Sequence, residues 1–212
     1  MKLIKIAAAV LISLSSLAAH AGLLYIDSPY ADQVVANSND FKFGKSMAAL
    51  PSGQMYNIGG NLKANQDAVL DLEFVFLGKE AGWNNKFTSG ALTNLITTGG
   101  GGSFSYSQYF AAGALIPFTF TTGGAVLPPS VANGSNNDGD HWVSFAIALD
   151  TTFKGIKYDA ILFFDDTGGY NDDDNHDDLI IGLNVKTVPE SSAFVLMLMG
   201  LAGLFAARRM KP

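Results

Sequence analysis

Tyr158-Asp-Ala-Ile-Leu-Phe-Phe-Asp-Asp166 and Asp177-Asp-Leu-Ile-Ile-Gly-Leu-Asn-Val185 are the two stretches that decide the fold of this 212-residue chain. Each is a short apolar run with an Asp pair at one end. Residues 158–164 and 179–185 are apolar on both faces, the pattern of strands that lie in the middle of a sheet. The connection between them, Thr167-Gly-Gly-Tyr-Asn-Asp-Asp-Asp-Asn-His176, is polar and rich in turn-forming residues. Paired antiparallel, the strands bring Asp165-Asp166 and Asp177-Asp178 to one mouth, with Asp172, Asp173 and Asp174 in the loop above.

Other segments read the same way. Leu70, Leu72, Phe74 and Phe76 share one face of a strand, with Asp71 and Glu73 opposite. Val143, Phe145, Ile147 and Leu149 alternate with Trp142, Ser144, Ala146 and Ala148. Ile116, Phe118 and Phe120 alternate across Pro117, which confines that strand to an edge or places the proline at its first residues. Residues 104–110 and 23–26 are weaker strand signals. No part of residues 22–187 has a capped period of 3.6, and no internal repeat is present. Seven to nine strands in one domain predict an all-β fold, an antiparallel β-sandwich of jelly-roll-like type. The Gly99–Gly102 run is a flexible loop, since no Gly-Lys-Ser/Thr follows it.

Composition excludes several functions. The formal charge is −6, with 13 Lys+Arg against 19 Asp+Glu, which argues against nucleic-acid binding. The absence of Cys removes disulfide scaffolds, thiolate metal sites and cysteine nucleophiles. Residues 22–187 carry 18 acids against 8 Lys and no Arg, a net of −10.

The two ends differ from the rest. Lys2 and Lys5 precede an apolar stretch over residues 6–17, and Ala19-His20-Ala21 fits the small-x-small rule. Residues 1–21 are therefore expected to be a helical signal peptide, cleaved between Ala21 and Gly22 by signal peptidase after entry into the Sec machinery. At the other end, Val188-Pro189-Glu190-Ser191 precedes residues 193–207, which carry no polar side chain, and then Arg208, Arg209 and Lys211. Fifteen helical residues span only ~22 Å against a ~30 Å hydrocarbon core, so the predicted short transmembrane helix needs its flanks or a thinned bilayer. The basic cluster belongs on the cytoplasmic side. Read without any processing, the segment is a permanent short anchor.

This tripartite end resembles the PEP-CTERM sorting signal of Gram-negative bacteria: a Pro-Glu-Pro motif, a short apolar helix and a basic tail. Here Ser191 stands in place of the second proline. The resemblance covers residues 188–212, with Val188, Pro189 and Glu190 as the sorting motif. It implies recognition by an exosortase, a membrane-embedded transpeptidase-like protease, and removal of the helix. The chain is then exported through the inner membrane, held there transiently, and delivered to the outer surface or extracellular matrix, often beside exopolysaccharide in a biofilm. The acidic segment is similar to part of a domain of unknown function common in such proteins, in which a strand ending Phe-Asp-Asp is followed by glycines and an Asp-rich run. Glu80-Ala-Gly-Trp-Asn-Asn85 matches a second segment of that group. This likeness implies a secreted β-sandwich with a Ca²⁺ site.

The residues support a cation on their own terms. Like charges ~4 Å apart repel by about 1 kcal/mol in water and about 4 at an effective dielectric of 20. A cation or protonation would relieve that repulsion. Asp165, Asp166, Asp173, Asn175, Asp177 and Asp178 offer oxygen ligands, a hard set that suits Ca²⁺. The spacing is not that of an EF-hand, and the competing reading is a solvated acidic loop. His176 is read as a polar loop residue or hydrogen-bond partner. Asp138, Asp140 and His141 read as turn residues before they read as ligands.

No nucleophile or metalloprotease motif is present, and Glu73 and Glu80 are the only two Glu in residues 22–187. The expectation is a non-catalytic surface or matrix protein. The alternatives are a carbohydrate-binding or adhesive module, with Trp83, Trp142, Tyr106 and Tyr109 as stacking platforms, and a polysaccharide-active enzyme.

Overall fold

The computed structural model describes residues 22–27, 32–35, 55–90, 94–124, 128–136, 143–167, 176–188, 197–202, 204–205 and 208. Thirteen strands are formed among them: β1 (Leu24–Asp27), β2 (Asp32–Val35), β3 (Met55–Ile58), β4 (Asn61–Ala64), β5 (Ala68–Gly78), β6 (Lys86–Ser89), β7 (Asn94–Thr97), β8 (Ser103–Phe110), β9 (Phe118–Thr121), β10 (Ser130–Ala132), β11 (Ser144–Phe153), β12 (Ile156–Asp165) and β13 (Leu179–Thr187). They make a seven-stranded sheet ordered β2-β3-β11-β12-β13-β5-β8, a four-stranded sheet ordered β10-β9-β6-β7, and the β1-β4 pair. All of the pairings are antiparallel.

The two apolar runs flanked by Asp pairs form β12 and β13, at the centre of the large sheet. Phe164 pairs with Leu179 and Ala160 with Leu183, so the Asp pairs do meet at one end. Both faces of the central strands are buried, as their apolar runs predict. Phe164, Leu162, Ile181 and Leu183 enter the main core, while Phe163, Ile161 and Ile180 join a second cluster on the other face with Tyr56 and Tyr158. β11 turns into β12 at Lys154-Gly155, where φ is 50° and 81°. Two consecutive positive φ values make the tight hairpin turn whose twist matches its strands, and Gly155 takes its share without a Cβ penalty.

The four-stranded sheet meets the large one through aromatic rings. Phe120 on β9 stacks on Phe164 with centroids 4.8 Å apart and planes 5° from parallel. Phe87 on β6 lies 5.1 Å from Phe74 on β5, and Phe118 lies 5.1 Å from Phe145 on β11. Such pairs add about 0.5–1.5 kcal/mol each beyond the burial of their area. The β1-β4 pair is tied in by Asn133. Its amide donates to the carbonyls of Leu62 and Ile116, both at 2.7 Å, and its oxygen accepts the Leu62 N–H at 2.8 Å. One buried side chain thus bonds three backbone groups of two segments that also meet directly, through the antiparallel bridge between Lys63 and Leu115 and the Ile116 N–H to the Leu62 carbonyl.

The sequence undercounts the strands. Seven to nine are expected and thirteen are formed, because β2, β3, β4, β6, β7 and β10 have only three or four residues each and show little alternation. The strand expected around Pro117 begins just after it, at Phe118, and has neighbours on both sides, so the proline marks its start rather than a sheet edge. Near the C-terminus, residues 197–202 are helical and exposed. Among the described residues no helix is long and apolar enough to cross a membrane. The expected signal helix and the Ala21 side of its cleavage point lie outside the described residues, as do Pro189 and Glu190.

Candidate functional site: the acidic mouth of the central hairpin

Three segments build the mouth. β12 ends at Asp165, β13 begins just after Asp178, and Ser144 starts β11 directly opposite Asp165 in register. The segment entering β6 closes the side: the Glu80 N–H donates to the Asp177 carbonyl at 2.9 Å. The Asp178 N–H donates to the Phe164 carbonyl at 3.0 Å, which extends the hairpin ladder into the mouth.

The four carboxylates there are not splayed into solvent. Asp165, Asp166, Asp177 and Asp178 are 1%, 2%, 0% and 7% exposed. Taking a carboxylate out of water costs several kcal/mol unless hydrogen bonds or an opposite charge offset the loss. Some of that compensation is visible. The Asn85 amide, itself fully buried, donates to Asp166 Oδ2 at 2.6 Å. The Asp166 N–H donates to Asp178 Oδ2 at 2.9 Å, and the Thr167 N–H donates to Asp165 Oδ1 at 2.9 Å. His176, 2% exposed, shares a hydrogen bond of 2.9 Å between Nε2 and Ser144 Oγ. The expectation of His176 as a hydrogen-bond partner therefore holds. Ser144 is only 1% exposed, and the pair joins β11 to the hairpin.

As ligands, the predicted residues divide. The structure brings Asp165, Asp166, Asp177 and Asp178 to one end of the sheet. Asp173 and Asn175 lie outside the described residues, as do Asp138, Asp140, His141 and Trp142. Among the described residues, no group of three or more His, Asp or Glu side chains is arranged to hold a metal ion. The donor chemistry fits Ca²⁺, since all of the donors are hard oxygens. A complete coordination set would have to draw on Asp173 and Asn175.

Asn85 and Ser144 are members of the mouth that the sequence did not single out. Asn85 sits 81 positions from its Asp166 partner. The only sequence signal was its place in Glu80-Ala-Gly-Trp-Asn-Asn85, and nothing local connects that segment to the hairpin.

The aromatic candidates also separate. Trp83 is 41% exposed and its six-membered ring lies close against Gly124, where any Cβ would overlap it. Gly124 is therefore required for this close approach. Thr98 Oγ1 donates to the Trp83 carbonyl at 3.1 Å. Tyr109 is 61% exposed. Tyr106 points inward, with its hydroxyl 2.8 Å from Ser89 Oγ, and burial pushes its phenol above the usual value, against the opposing effect of the Ser89 hydrogen bond. Tyr158 is raised as well, by burial first and by the charge of Glu73 second.

No protein-family model matches the chain, and neither does any curated protein or solved structure.

Proposed function

We propose that this chain is an exported, exosortase-processed, non-catalytic protein of the cell surface or extracellular matrix. Its domain, residues 22–187, is read as an antiparallel β-sandwich of jelly-roll type, braced by Ca²⁺ at the acidic mouth and associated with exopolysaccharide. The observation that carries the proposal is the junction between domain and tail. β13 ends at Thr187, and the Val188 N–H donates to the Val69 carbonyl at 2.9 Å. The motif Pro189-Glu190 follows at once. A cut there removes the apolar segment and the basic tail while leaving every hydrogen bond of β13 in place. Proteins of this kind pass through the Sec machinery and signal peptidase and stay in the inner membrane only until the exosortase acts. Mass spectrometry of the exported protein is expected to find its C-terminus near residues 188–190. Recovery of peptides containing Arg208–Pro212 from that material would overturn the processing.

A carbohydrate-binding role is the second reading, favoured by the half-exposed Trp83 ring held close against Gly124. Stacking on a sugar would change its fluorescence when the host's own polysaccharide is added, and Trp83→Phe would remove the change. A response that survives Trp83→Phe places sugar binding elsewhere.

A further inference from the structure

We infer that the outer edge of β8 is a self-association surface, on which a second copy of this chain adds its own β8 antiparallel to extend the seven-stranded sheet. Among the described residues β8 has one strand neighbour, β5, and its far edge has none. A strand edge presents unpaired N–H and C=O groups in a row, and soluble proteins blunt such edges with charge, proline, bulges or short length. This edge has none of those devices. It runs Ser103-Phe-Ser-Tyr-Ser-Gln-Tyr-Phe110, without charge, Pro or Gly. Its register with β5 is unbroken over eight pairs, from Ala68↔Phe110 to Val75↔Ser103. Ser103, Ser105, Ser107, Gln108 and Tyr109 are exposed.

Charge identifies the occupant as another copy. Residues 22–187 carry a net charge of −10, so two copies repel over most orientations. From Phe87 to Asn137, however, the sequence contains no Asp, Glu, Lys or Arg. That interval holds β7, β8, β9, β10 and all of β6 except Lys86. A basic partner would gain nothing from so neutral an edge and would favour the acidic surface elsewhere. The nearest acids on the sheet, Asp71 and Glu73, are on β5 opposite Ser107 and Ser105. Across a β8–β8 seam, the two β5 strands lie three strand spacings apart, ~14 Å, which exceeds the ~8 Å screening length at physiological salt. Repulsion between them is therefore largely screened. A two-fold axis perpendicular to the sheet keeps like faces together, so residues of the same parity pair and the axis falls at Tyr106 or Ser107.

The test uses the full chain in a mild detergent that covers the apolar C-terminal residues. Sedimentation velocity is expected to show a reversible dimer in the micromolar range. Ser105→Lys with Ser107→Lys is expected to weaken it about tenfold or more, because either axis position sets lysines across the seam. Asp71 and Glu73 beside them keep the fold supplied with partners, and the added positive charge lowers the overall repulsion, so a general charge effect would move the dimer the other way. The chain has no Cys, so Ser105→Cys with Ser107→Cys introduces its only thiols, and either axis position sets two of them directly opposite across the seam. That variant is expected to form an interchain disulfide on mild oxidation, whereas Lys157→Cys, on an exposed side chain of β12, is not. A native chain that stays monomeric, a dimer indifferent to the two lysines, or cross-linking of Lys157→Cys in preference to the Ser105→Cys, Ser107→Cys variant would each overturn the assignment.

Discussion

Tyr106 shows how a single residue couples the core to pH. Its ring packs on Phe74 with centroids 6.3 Å apart, and its hydroxyl meets Ser89, which also donates to the Pro117 carbonyl. Burial raises the phenol above the ordinary 10.0, so the folded state holds the proton more tightly than the unfolded state does. That stability is complete below the unfolded value and is lost as pH rises from about 10 through the raised folded value. Tyr106→Phe removes both the hydrogen bond and the titration. It is expected to cost about 1 kcal/mol near neutral pH, and the gap from wild type should shrink above about pH 10. Urea unfolding at the two pH values checks this, and a gap that stays constant would show that the phenol does not titrate late. At this scale the sequence was partly informative. Burial of Phe74 and Phe164 follows from alternation. The inward turn of Tyr106 and the role of Asn133 do not, since a Tyr or Asn in a polar stretch carries no mark of what it will face.

At the scale of elements, the hairpin of β12 and β13 is where local pattern and tertiary environment meet. Its strands, their central position and the meeting of the Asp pairs were legible, because long apolar runs can only be buried on both faces. The burial of the carboxylates was not legible. It depends on β11, which sets Ser144 opposite Asp165, and on Asn85, which arrives from far away in the chain. If Ca²⁺ braces the mouth, it binds the folded state alone, and added Ca²⁺ stabilises that state by about 2.7 kcal/mol at a hundredfold excess over Kd and so raises the melting temperature. Asp177→Asn with Asp178→Asn should abolish that rise in a calorimetric melt. An unchanged shift in the double variant would remove these residues from the site. The shorter strands, β6 and β7 among them, were missed for a complementary reason. Four residues rich in Thr, Ser and Asn form a strand only when a neighbour supplies the ladder.

For the whole molecule, stability depends on the aromatic contacts between the two larger sheets. Phe120 is fully buried and touches Phe87, Phe118, Phe145 and Phe164, which come from both sheets. Phe120→Ala leaves a cavity at that junction and is expected to cost about 3–5 kcal/mol, lowering Tm by roughly 10 °C. A loss below about 1 kcal/mol would mean that the sheets are held together elsewhere. The neutral interval from Phe87 to Asn137 supplies most of the smaller sheet and the open edge of the larger one, so charge is segregated by region as well as by count. The sequence by itself determined the β class, the central hairpin and the distinct character of the two ends, because period, apolar runs and charge placement are local properties. Only the tertiary structure decided which strands neighbour which, that four carboxylates are buried together, and that β8 lies at an edge. Those outcomes depend on contacts between residues tens of positions apart, where burial and hydrogen bonding are settled jointly by segments that carry no local trace of one another.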